Sequence, residues 1–173
     1  MDTPKNASSF LIFICWYVSL KIMIKTERDL WKLLKKSSAG ILFDRIENWA
    51  IPGVPDLLGY NQNKTFFTLE LKATKGNKIS FSPHQVAWHL RHGPGAFILA
   101  ARSVNRDKNT TVAKMQHVGG LRAGGPTHFF LYESRQIMDL VSRGLKTEPI
   151  VGGLQVNEII KYLNGLGAVA PRP

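Results

Sequence analysis

One run, T-F-F-T-L-E-L-K-A at residues 65–73, constrains the fold more than any other stretch of the chain. Its period is two: Phe67, Leu69 and Leu71 fall on one face of a strand, and Phe66, Thr68, Glu70 and Lys72 on the other. The first face needs a core. The second leaves a carboxylate and an ammonium side by side, pointing together into something other than hydrocarbon. Just upstream, Asp56 opens a second apolar run, Leu57-Leu58-Gly59-Tyr60, and residues 61–64 (Asn-Gln-Asn-Lys) read as the turn between the two. Paired as a hairpin, the runs place Asp56 across from Glu70 and Lys72 on the same face. Two carboxylates and one lysine in a small patch suit a divalent cation beside a scissile phosphate.

The flanking segments supply helices. Thr26 to Lys36 is amphipathic, with Leu30, Leu33 and Leu34 as its stripe, Thr26 and Asp29 as a reciprocal cap, and Lys35 and Lys36 in the last turn. Glu27 has two readings: favourable charge at a helix N-terminus, or a third acid beside the cation. Ile41–Ile46 reads as a strand, and Pro52, Gly53 and Pro55 bend the chain into Asp56. After the central strand, Ser82 caps a helix with Pro83 at its first position and Gln85 at its third. The amide of Gln85 therefore has a purely local use. Gln85, Trp88, His89 and His92 share one face, read as a polar, basic surface for nucleic acid. A zinc site on the three histidines of this helix is disfavoured, since no cysteine or second ligand cluster lies nearby. Gly95–Ala101 and Thr127–Tyr132 are further strands, and Arg135–Arg143 and Val156–Leu163 further helices.

At these residues the chain resembles a known family. Pro55-Asp56 followed by Glu70-Leu71-Lys72 is similar to the signature of PD-(D/E)xK nucleases. The fuller run G-V-P-D-L-L, L-E-L-K-A, S-P-H-Q-V-A-W resembles the virus-type replication–repair nuclease (VRR-NUC) branch, over about residues 24–101. The resemblance implies an α/β fold with a restriction-endonuclease-like core, a mixed central sheet flanked by helices in the order αβββαβ. It implies catalytic roles for Asp56, Glu70, Lys72, Gln85 and Glu27. Asp56, Glu70, Glu27 and the backbone carbonyl of Leu71 would be the ligands of Mg²⁺, with Mn²⁺ as a substitute. The activity implied is metal-dependent endonucleolytic hydrolysis of DNA, structure-directed or weakly sequence-specific, in phage or bacterial replication, repair or recombination. A resolvase acting on four-way junctions would require a homodimer.

Charge agrees with such a partner. The chain of 173 residues carries a formal net charge of +11, which favours a polyanion. Arg45, Lys75, Lys78, His89 and Arg102 are the candidate nucleic-acid contacts, with the glycine- and cation-rich stretch 102–126 as a DNA-contacting loop. A single cysteine, Cys15, excludes an internal disulfide framework and a thiolate zinc cluster, and fits a reducing cytoplasm. No P-loop, dinucleotide fingerprint, helix-turn-helix or finger pattern is present. The expected organisation is an apolar extension over 1–22, a nuclease domain over 23–150, and a helix with a frayed tail over 151–173. Phe10–Leu20 is continuously apolar apart from Ser19 but shorter than the roughly 20 residues a membrane-spanning helix needs. It admits a signal-peptide core, a membrane anchor, or, as favoured here, an extension upstream of a start at Met23. The competing functional readings are a non-catalytic nucleic-acid-binding module on the same fold and a membrane-associated protein held by residues 10–20.

Overall fold

The computed structural model describes residues 24–46, 51–103 and 126–168. The apolar run at 10–20, residues 47–50, most of the 102–126 stretch and the final tail lie outside the described residues.

Helix α1 (Glu27–Ser37) starts as its sequence dictates: the Asp29 amide donates to the Thr26 hydroxyl at 3.1 Å, and the Thr26 amide donates back to the Asp29 carboxylate at 3.2 Å. Strands β1 (Ile41–Arg45), β2 (Leu57–Asn61) and β3 (Phe66–Thr74) follow as an antiparallel meander. Helix α2 (Pro83–Arg91) then crosses over, so that β4 (Ala96–Ser103) lies parallel to β3. Strand β5 (Thr127–Glu133), a 3-10 turn at Ser134–Gln136, helix α3 (Ile137–Arg143), a second 3-10 turn at Gly144–Lys146, β6 (Val151–Gly153) and α4 (Val156–Gly165) complete the described chain. The six strands stand in the order β1-β2-β3-β4-β5-β6, antiparallel except for β3–β4. The protein is therefore a mixed α/β fold with one mixed sheet flanked by helices.

Both faces of the sheet are covered. On one side α1 and α4 bury Leu30, Leu34, Ile159, Ile160 and Leu163 against Phe67, Leu69, Leu71, Leu99 and Leu131. On the other, Ile79, Ile137, Leu140 and Leu145 close over Ile98, Ala100 and Tyr132, with Phe81 and Val86 packed at the edge. The two-face reading of β3 holds: Phe67, Leu69 and Leu71 enter the first core, while Glu70 and Lys72 face the opposite side. That second side is not open, however. Glu70 is 0% exposed and Lys72 8%. The 3-10 turn at 134–136 replaces the start of the helix expected over 135–143, and β6 was not foreseen. Helix α4 belongs to the same core as α1, so residues 151–165 complete the sheet and its packing rather than trailing from it.

Two contacts fix the hairpin. The Phe67 ring stands over Gly59 so closely that a Cβ there would lie 2.3 Å from it. At the turn, the Asn61 side chain donates to the carbonyls of Leu163 and Leu166 at 2.8 and 2.9 Å, satisfying the C-terminal end of α4.

Candidate metal centre and nucleic-acid face

The hairpin register pairs Leu57 with Leu69 and Leu58 with Thr68, so Asp56 is the next position, opposite Glu70. There β2 has ended, and the Asp56 side chain takes the place of a backbone partner. Its carboxylate accepts the Leu71 amide at 2.8 Å, while its own carbonyl accepts the Ile46 amide at 2.8 Å. The bend leading into it is set by Gly53, at φ +88°, where a Cβ would fall 2.4 Å from the His84 carbonyl. Only glycine lets the bend pack against the first turn of α2, and this ties Asp56 to the helix carrying Gln85.

Alternate residues of β3 face opposite neighbours: the Thr68 amide donates towards β4, to Gly95, and the Leu71 amide towards Asp56. The N–H and C=O of one strand residue leave by the same edge. The Leu71 carbonyl thus opens on the Asp56 side, beyond the last rung of β2.

Glu70 and Lys72 form an ion pair at 2.9 Å beneath α2. Gln85 stitches both into place. Its amide nitrogen donates to the same Glu70 oxygen, and its oxygen accepts from Lys72 at 3.2 Å and from the Ser82 amide at 3.0 Å. Gln85 thus caps its own helix, as the sequence reading allowed, and at the same time bridges the charged pair. The Lys72 ammonium also lies 5.2 Å from the Phe81 ring centroid, a contact absent from the sequence reading. Its only signal was the apolar alternation Ile79, Phe81 before the helix. Glu27, half-exposed at the start of α1, approaches Lys72 at 3.9 Å and so joins the cluster through the lysine.

The electrostatics are those of carboxylates short of compensation. Burial, then the neighbouring Asp56, pushes Glu70 up to about 7, against the opposing pull of Lys72. Burial also raises Asp56, opposed by the Leu71 N–H and by the cations Lys72 and Arg45. Glu27 is raised by burial and pulled back by Lys72. One Glu70 oxygen, Oε2, is buried with no hydrogen-bond partner. An acceptor-only atom in that position is costly unless a cation or proton meets it. Among the described residues, no three His, Cys, Asp or Glu side chains form a ready-made cation cluster. The donor set is sparser: Asp56, Glu70 and the Leu71 carbonyl edge, suited to Mg²⁺, which keeps several waters and uses one or two carboxylates.

The wider candidate contacts divide. Lys75 and Lys78 are exposed on the loop after β3, and Arg45 is exposed at the end of β1. Arg102 lies opposite Thr74 in register, half-buried over the Phe130 ring at 5.3 Å and donating to Asn77 at 2.6 Å. His89 does not belong with them. It is 1% exposed, and its Nδ1 lies 2.6 Å from the Ser134 hydroxyl. The face read as a polar surface for nucleic acid is the inward face of α2, where Trp88 and His89 pack, while Leu90 is 58% exposed. The reason is Ser134, a buried partner from a distant element that makes a histidine tolerable there. The three histidines of the segment also diverge: His84 is exposed, and His92 stacks on Trp88 at 3.9 Å between centroids.

Compared with protein-family models and with curated proteins, the sequence matches none. Among the described residues no helix is long and apolar enough to cross a membrane.

Proposed function

We propose that the protein is a metal-dependent phosphodiesterase acting on DNA, an endonuclease with its centre at Asp56, Glu70 and Lys72 and a restriction-endonuclease-like core around it. The observation that supports this most is the join between Asp56 and the Leu71 amide beside the buried Glu70–Lys72 pair, with one Glu70 oxygen unpartnered. A buried ion pair offsets its desolvation only where further hydrogen bonds meet its remaining lone pairs, and here a second carboxylate stands beside it instead. Asp56, Glu70 and the Leu71 carbonyl would hold Mg²⁺, which when bound shields a phosphate and lowers the pKa of a coordinated water.

The chain's own groups do the rest. Lys72, fixed by Glu70, Gln85 and the Phe81 ring, orients the attacking water or offsets charge building on the phosphate. Gln85 holds Glu70 and Lys72 in register. Glu27 is placed to hold a water on the α1 side. Arg45, Lys75, Lys78 and Arg102 supply sequence-independent phosphate contacts. With no helix built for base readout among the described residues, cutting would follow DNA structure more than sequence. Such an enzyme fits phage or bacterial replication, repair or recombination and a cytoplasmic setting.

The test is a cleavage panel with Mg²⁺ and Mn²⁺ on linear, supercoiled, single-stranded, flapped and four-way DNA and on RNA, with Asp56→Asn alongside. Cleavage that needs metal and vanishes in Asp56→Asn supports the proposal. Metal-dependent cleavage that Asp56→Asn retains, or DNA binding without any cleavage, rejects it; the latter leaves a non-catalytic binding module.

A further inference from the structure

The side of the sheet that holds Glu70 and Lys72 continues past them in both directions, and the two directions differ. Stepping back along β2 and β3 by two residues at a time, the rungs are Asp56 with Glu70, Leu58 with Thr68, and Tyr60 with Phe66. Leu42 on β1 stands opposite Tyr60. This end is bare: Phe66 is 63% exposed and Leu42 70%. The Tyr60 and Phe66 rings sit together, their centroids 4.5 Å apart at an interplanar angle of 39°. Stepping forward instead, Lys72 gives way to Thr74, which lies opposite Arg102, and to the exposed Lys75 and Lys78. Aromatic surface, with the exposed Lys64 in the turn beside it, therefore lies at one end of a line and Arg102, Lys75 and Lys78 at the other, with the candidate centre between them.

We infer that the Tyr60–Phe66 rung is a stacking platform for an unpaired base of the nucleic acid whose backbone crosses the Asp56–Glu70 centre. The inference rests on the proposed phosphodiesterase reading and narrows its substrate to strands with a single-stranded portion. Rungs two residues apart are separated by about 6.8 Å, so the platform lies roughly 13–14 Å along the hairpin from the Asp56–Glu70 rung. That is a span of a few nucleotides. An aromatic face can take any base, but only one not already stacked between neighbours in a duplex. Asp44 lies opposite Leu58 on the same side, between the platform and the centre. A carboxylate among apolar groups disfavours a phosphate there, so the contact belongs to the base. The net charge of +11 and the cations at the far end suit the backbone of the same strand.

The experiment uses the full chain in EDTA and oligonucleotides carrying 2-aminopurine, single-stranded or duplex. Wild type should quench the single-stranded probe. Phe66→Ala should weaken single-strand binding roughly tenfold or more and duplex binding by less than about twofold. Phe66→Trp should retain the single-strand affinity and Phe66→Leu should not, which separates ring stacking from apolar area. Melting temperatures near wild type are expected, since the side chain is exposed. Equal losses on duplex and single strand, equal binding by the Leu and Trp variants, no loss at all, or a wild-type dimer that Phe66→Ala dissociates would each overturn the inference. The two readings fail separately. Cleavage that dies in Glu70→Gln while Phe66→Ala binds normally removes the platform alone. Stacking that persists while Glu70→Gln still cleaves removes the phosphodiesterase centre alone.

Discussion

Lys72 is the residue on which opposing forces meet. It compensates Glu70, contacts the Phe81 ring and lies near Glu27, and the proposed function also asks its ammonium to act on a water or a phosphate. Lys72→Ala is expected to lower the single-turnover cleavage rate by roughly a hundredfold or more, while DNA affinity by filter binding changes by less than about threefold. A parallel loss of affinity would make it a binding residue instead. His89 has the opposite character. Burial, then the charges of Lys72 and His92, pushes it down to about 4 from the ordinary 6.5. A folded-state value below the unfolded one means its stability contribution is complete above about 6.5 and is lost as pH falls towards about 4. Roughly 3 kcal/mol is at stake. Urea midpoints measured from pH 7 down to pH 4.5 should therefore fall less steeply in His89→Gln than in wild type. Superimposable profiles would show that His89 titrates normally.

At the scale of elements, α2 does two things with one side chain. Gln85→Ala removes both a cap and the bridge, so it should cost about 1 kcal/mol of stability and also lower turnover. Gln85→Glu keeps an acceptor for the Ser82 amide but sets a third carboxylate against Glu70, so it should lose turnover even where the helix survives. Thermal melts paired with cleavage rates separate the two effects. The hairpin was legible in the sequence because its period of two is strict from Phe66 to Lys72, and a one-residue slip would have turned Glu70 into the core. The exact rung was not: a turn over 61–64 would pair Tyr60 with Thr65 and set Asp56 opposite Leu69, and Asp56 comes opposite Glu70 because Asn61 joins β2. The inward face of α2 was not legible. Gln85, Trp88, His89 and His92 look solvent-facing by polarity, and Ser134, the partner that buries His89, is 45 residues away. Strand β6 was equally hidden, since three residues, two of them glycine, cannot show a period. Phe81 joined the site only once the loop before α2 had folded over Lys72.

For the whole molecule, the sheet brings a carboxylate-rich centre, a cationic end and a bare aromatic end onto one face of a strongly basic chain. If Arg45, Lys75, Lys78 and Arg102 each touch one phosphate, the logarithm of the DNA association constant should fall with the logarithm of salt at a slope of about −3 to −4. A slope near zero would remove the polyanion from the account. The most direct measurement is Mg²⁺-dependent DNA cleavage by wild type and Glu70→Gln, with DNA binding measured on the same samples. Glu70→Gln is expected to lose roughly a thousandfold or more in cleavage rate, the size of several kcal/mol of cation-assisted stabilisation, with binding nearly intact. Undiminished cleavage by Glu70→Gln would contradict it.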